Sequence, residues 1–155
     1  MKFLHTMGAI GLMGSMACLL VLLSFTPSPH SLSEYALMRG TMAAIAKWIF
    51  LPSLALTLIA GMLAIAMNRA FQNAGWAWAK LVTGVLMFEG GLVSIQGPIQ
   101  REAERCASVL AGQLDPAALA LPAGAERNTI LAILAVATAN VVLGIWRPRL
   151  AGSPD

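Results

Sequence analysis

Residues 3 to 25 read FLHTMGAIGLMGSMACLLVLLSF, and this stretch decides the fold class. It carries no Asp, Glu, Lys or Arg across about 23 positions, which as an α-helix is roughly 34 Å of length. The hydrocarbon core of a bilayer is about 30 Å thick, so a run of this length spans it. A secretory signal peptide is the rival reading, because Met1-Lys2 gives a short positive start. The apolar region of such a signal is only about 7–15 residues and ends at small residues. Here the run is longer, and Ser24-Phe25-Thr26-Pro27 makes a poor cleavage site. A lipoprotein signal at Ser15-Met16-Ala17-Cys18 fails as well, since Leu19 to Leu23 continue the run. The helix is therefore expected to be retained.

Outward from this helix the pattern repeats. Spans are expected at about 3–25, 48–67, 76–95 and 129–146, in a single domain covering 1–150 with a tail at 151–155. Pro27 and Pro29 end the first span, because proline cannot donate to the helical ladder. Trp48 beside Lys47, and Trp76 with Trp78, suit the membrane interface. Gly97-Pro98 is expected to end the third span, and Arg147-Pro148-Arg149 to anchor the fourth. Ser31 to Met42 reads as a short interfacial helix, capped by Ser31 or Ser33 with Glu34 in its first turn. Ile99 to Leu114 reads as an amphipathic helix with Arg101, Glu102, Glu104 and Arg105 on its wet side. Asp115-Pro116 and Leu121-Pro122-Ala123-Gly124 read as turns. The expected fold is thus an all-α, four-transmembrane-helix bundle with short amphipathic helices in loops 1 and 3.

Composition agrees. Of 155 residues, 58% are hydrophobic and 11% charged, against about 25% charged in an average soluble domain. The net charge of +3 comes from cations scattered at the ends of apolar runs. A nucleic-acid reader needs a basic stripe with base-reading side chains, and none is present. Cys18 lies in an apolar run and Cys106 in a polar loop, neither with a CxxC partner, so no disulfide framework or zinc site is indicated. Four spans put both termini on one side of the membrane. Lys2, Arg69, Lys80, Arg147 and Arg149 fall there, against Arg39, Lys47, Arg101, Arg105 and Arg127 opposite, a tie. The terminal side is nearly free of acids, which leans the termini towards the cytoplasm, although acids carry little weight in topology.

Ionisable groups at membrane depth are costly and mark function by default. The side chains that need explaining are His5, Lys80, Glu89 and Asn140. His5 and Lys80 fall at similar depth near the terminal face, with Asn140 roughly 9 Å inside it. Glu89 lies nine residues beyond Lys80 and projects from the opposite side of the same helix. Against these readings stand simpler ones: His5 as an interfacial histidine with no ligand, Lys80 snorkelling to headgroups, Asn140 as interhelical glue, Glu89 protonated and hydrogen-bonded. Small residues mark close helix approaches: Gly8, Gly11, Gly14 and Ser15 on the first span, Thr57-xxx-Gly61 on the second, Gly84 and Gly91 on the third, and Ala132, Ala135 and Ala139 on the fourth.

The opening Lys2-Phe3-Leu4-His5-x-x-Gly8 with Gly14 resembles the start of copper-resistance-protein-D-like domains, and of a related uncharacterised group of bacterial four-helix membrane proteins. Pro52-x-x-x-x-Thr57-x-x-x-Gly61 and Trp78-x-Lys80 are similar to features of the HemJ-type protoporphyrinogen oxidases. The resemblance implies a bacterial inner-membrane bundle in which His5 is an axial ligand to haem iron and Lys80 pairs with a propionate. Leu12 stands where these families often have tryptophan, and the arginine, tyrosine and histidine that follow the first helix in the oxidases are absent. The resemblance therefore carries the fold over better than the function, and oxidase activity is not expected. Copper handling is the rival, since Met13-x-x-Met16 and Met38-xxx-Met42, among nine methionines, offer soft thioethers. A third reading is non-enzymatic: no nucleophile–base pair, phosphate loop or metal-ligand cluster is visible, and small-residue helix faces suit an accessory subunit or homo-oligomer, with Glu89 at the contact.

Overall fold

The computed structural model describes residues 2–119 and 123–146. Those residues contain helices and no strand. Helix α1 runs Lys2–Ser24. Helix α2, Leu32–Ile45, passes through a π-helical turn, Ala46–Phe50, into α3, Leu51–Met67. A short α4, Arg69–Gln72, leads to α5, Gly75–Gly91, which passes through a second π-turn, Leu92–Gln96, into α6, Gly97–Leu110. A 3₁₀ turn, Pro116–Ala118, precedes α7, Ala123–Trp146. Four of these helical runs are long and apolar enough to cross a membrane: Lys2–Ser24, Leu32–Met67, Gly75–Leu110 and Gly124–Gly144. By helix length and hydropathy the chain is a multi-pass membrane protein. Arg147-Pro148-Arg149, the 151–155 tail and the Leu121-Pro122 turn lie outside the described residues.

The second and third runs are each 36 residues, roughly 54 Å of helix, far more than a bilayer needs. The amphipathic segments expected in loops 1 and 3 exist as α2 and α6, but they continue the spans instead of lying apart from them. In particular Gly97-Pro98 does not end a helix. The π-turns explain how proline is tolerated. Inside an α-helix, the ring of Pro52 clashes with the carbonyl of Trp48, and that of Pro98 with the carbonyl of Ser94. Both carbonyls lie in π-turns, where the chain is widened by one residue. The widened bonds run from Leu51 N–H to the Ala46 carbonyl and from Gly97 N–H to the Leu92 carbonyl. Because the two long helices are antiparallel, the π-turns meet at one level. There Gly91 lets the Phe50 ring approach so closely that an added Cβ would stand 2.9 Å from Phe50 Cζ.

The third run stops at Leu110, short of the expected Leu114, at a left-handed glycine. Gly112 has φ +70°, and the Gln113 and Gly112 amides donate to the Ser108 and Val109 carbonyls, the Schellman closure. Asp115 then accepts from the Ala117 amide at 2.8 Å to start the 3₁₀ turn. Ser31 stands at the α2 N-cap without a side-chain bond.

The core is densest around and beyond the π-turns. Leu12, Met16, Leu19 and Leu23 of α1 pack with Met42, Phe50, Leu54, Met87, Ile95, Ile99, Ile130 and Ala137. A smaller cluster, Tyr35, Cys106, Val109 and Leu119, closes the far end. Cys106 is therefore a buried helical residue, not a loop residue. On the terminal side α1 packs most extensively on α3. The alanines expected to line the fourth span, Ala132, Ala135 and Ala139, instead face outward, and Ile130, Ala137 and Asn140 turn inward. Gly14 is likewise on the outer face, with open space around it.

Candidate functional site

Below the π-turns the four spans line a half-open cavity of about 540 Å³. It falls within the usual range for ligand pockets, roughly 300–1,000 Å³. All four spans contribute: Lys2 and His5 from α1, Thr57 and Gly61 from α3, Trp76 and Lys80 from α5, Asn140 and Gly144 from α7. The start of α1 and the end of α7 thus lie at the same end of the bundle. His5 and Lys80, paired in the sequence only by depth, line one cavity.

The geometry around His5 follows from close packing. An added Cβ at Gly8 would stand 2.9 Å from the Ser53 carbonyl oxygen and from the Thr57 amide nitrogen. Only glycine allows α1 this near to α3. One turn earlier, that approach brings His5 Nδ1 to 2.9 Å from the Thr57 carbonyl oxygen. A carbonyl only accepts, so Nδ1 is the donor of this bond, which leaves Nε2 as the acceptor nitrogen of the neutral ring. Thr57 Oγ1 in turn donates to the Ser53 carbonyl at 2.8 Å. Gly61 faces the imidazole, its Cβ position 3.7 Å from the ring.

Lys80 reaches across to α7, where an added Cβ at Gly144 would be 2.6 Å from Nζ. The glycine makes room for the ammonium head. Asn140 accepts from Thr83 Oγ1 at 2.9 Å and donates to Met87 Sδ at 3.5 Å, so it ties α7 to α5 at the cavity wall. Trp76 packs edge-on to Phe71 with centroids 5.6 Å apart, and both line the cavity. Trp78 points away and donates to the Gln72 carbonyl at 2.8 Å. Glu89 takes no part in the cavity and is exposed on the outer face of α5.

Of the methionines that favoured copper, Met16 and Met42 are fully buried among leucines, while Met13 lines the cavity. Among the described residues no three His, Cys, Asp or Glu side chains gather as a metal set.

A second polar centre was not foreseen. At the far end, outside the apolar 48–67 and 76–95 stretches, Arg39 is 1% exposed. Its Nη1 donates to Glu126 Oε2 at 2.7 Å and its Nε to Tyr35 Oη at 3.1 Å. Tyr35 Oη donates to Glu102 Oε1 at 3.1 Å, and Arg105 lies 3.8 Å from Glu102. Arg101, Glu104 and Arg105 are on the wet side as expected, but Glu102 is turned inward and 5% exposed. Its burial follows from i, i+4 spacing to Cys106, which marks the inner face of α6. The network joins α2, α6 and α7, and every buried side-chain polar atom among the described residues has a partner. The i, i+4 pair Tyr35 and Arg39, on one face of α2, is the sequence signal for this network. No protein family, curated protein or solved structure matches the chain.

Proposed function

We propose that the cavity among the four spans binds a haem or a related porphyrin, with His5 Nε2 as axial ligand. The observation that carries this reading is the convergence of His5 and Lys80 on one cavity, with His5 Nδ1 already committed to the Thr57 carbonyl. Such a bond to the distal nitrogen fixes tautomer and ring orientation, and it makes the other nitrogen a better ligand. Neutral imidazole is a usual haem iron ligand. Lys80, with Lys2 near the mouth, supplies positive charge for carboxylates. Phe71 and Trp76 give an apolar aromatic wall for a flat macrocycle. When bound, the group would supply an iron centre within the apolar phase. The chain's own part is to hold it: His5 at the metal, Lys80 at the acid edge, and Gly61 and Gly144 leaving the space. In the same reading the termini face the cytoplasm of a bacterial cell, on the strength of their acid-poor flanks.

Titration of the purified protein with haemin tests this. The wild type is expected to develop a sharp Soret band at one equivalent, and Lys80→Ala to bind more weakly. Equal binding by wild type and His5→Ala would remove His5 from the site.

A further inference from the structure

Around the bundle α1 packs on α3, α3 on α5, α5 on α7 and α7 on α1. Three of these four seams are shut beside the cavity. Gly8 seats α1 against Ser53 and Thr57 of α3. Leu58 of α3 meets α5 at Gly84, 3.5 Å from the position of an added Cβ. Thr83 and Asn140 tie α5 to α7. Between α7 and α1 no hydrogen bond or ion pair runs among the described residues. Exposure marks the same seam. Of the large apolar side chains that line the cavity, only Ile10 of α1, 61% accessible, and Val141 of α7, 38% accessible, are exposed. Met87 and Ala137, at 8% and 5%, belong to its inner wall.

The mouth lies within the apolar phase. Ile10 is eight residues, about 12 Å of rise, along α1 from Lys2. Its neighbours on the outer face, Phe3 and Met7, are exposed and apolar. The cavity therefore opens on acyl chains and not on water. Its charged lining is of one sign: Lys2 and Lys80 line it, and no Asp or Glu among the described residues does.

We infer that the α1–α7 seam is a lateral portal, through which a carboxylate-bearing amphiphile dissolved in the terminal-side leaflet enters the cavity. Its acid travels at the level of the lysines, and its apolar body passes between Ile10 and Val141. Sideways entry of this kind never takes the charge through hydrocarbon, where it would be costly. The inference rests on the cavity being a ligand site and not on that ligand being a porphyrin.

The test uses the full chain in phosphatidylcholine vesicles with a stearate that carries an aryl diazirine partway along its chain. Light fixes the probe where it lies, and mass spectrometry of the digest maps the adducts. The wild type is expected to carry adducts on Met87 and Ala137, which are buried from outer lipid. Ile10→Trp narrows the mouth and should lose these inner adducts while keeping those on the outer faces. Ile59→Trp, on the outside of α3, should keep both. Both positions are exposed, so both variants are expected to fold. The octadecylamine form of the probe should leave the inner wall unlabelled, since the lysines repel its ammonium. Wild-type adducts confined to the outer faces overturn the inference. So does equal inner labelling of wild type and Ile10→Trp, or by the acid and the amine. Haemin titration of the same vesicles reads the porphyrin site separately: inner adducts without a Soret band keep the portal and remove the porphyrin.

Discussion

Gly8→Ala perturbs the fold and the site through a single methyl group. The new Cβ would meet the Ser53 carbonyl oxygen and the Thr57 amide nitrogen at 2.9 Å, and Thr57 Oγ1 closer still. The first two are backbone atoms and cannot rotate away. Ordinary contact starts near 3.4 Å, so α1 and α3 must part by about 0.5 Å in a close-packed interior. Overpacking of this kind costs about 1–3 kcal/mol. Thr57 must also turn from its bond to the Ser53 carbonyl, which adds about 1 kcal/mol. Alanine returns up to about 1 kcal/mol of helix propensity, so the expected net loss is about 1–3 kcal/mol. The same parting stretches the His5–Thr57 bond, now 2.9 Å, towards the limit of a hydrogen bond, so haemin affinity should fall as well. Gly14→Ala is the control: it faces open space, and alanine gains up to about 1 kcal/mol of helix propensity. Unfolding in mixed micelles, followed by helicity against detergent composition, measures both. Equal stability of the two variants, within about 0.5 kcal/mol, would refute the close approach of α1 to α3.

The Arg39–Glu126 pair makes a second prediction. Arg39→Met alone leaves a buried carboxylate unpaired and should cost about 3–5 kcal/mol, while adding Glu126→Met should restore most of it, as read by the same unfolding assay. Tyr35, the one tyrosine in the chain, makes a third: Tyr35→Phe takes the phenol donor from the buried Glu102 carboxylate and should cost about 1–3 kcal/mol in the same assay.

The spans were legible because lipid leaves few options. A backbone in hydrocarbon must close its own hydrogen bonds, so a long apolar run is a helix. Depth along each helix is legible too: helical rise alone puts His5 and Lys80 at one level. Less visible was continuity through proline. Gly97-Pro98 looks like a stop by local rules, and only the neighbouring helix with its matching π-turn gives the widened turn a place to settle. Orientation about the helix axis was also weakly encoded. The fourth span is apolar all round, so alanine spacing alone did not reveal that Ala132, Ala135 and Ala139 face outward. Glu102 was assigned to water because it is charged. Its hydrogen-bond donor Tyr35 lies 67 residues away, and a long-range contact of this kind leaves little local trace.

Imidazole rescue of His5→Gly tests whether His5 holds haem iron at the wall of the four-helix cavity. The variant leaves a space at the imidazole while Lys80 and the aromatic wall remain. With haemin alone it should give a broad, weak Soret band, and free imidazole should restore the wild-type spectrum. A His5→Gly protein whose haemin spectrum and affinity already match wild type, with no response to imidazole, would contradict the account.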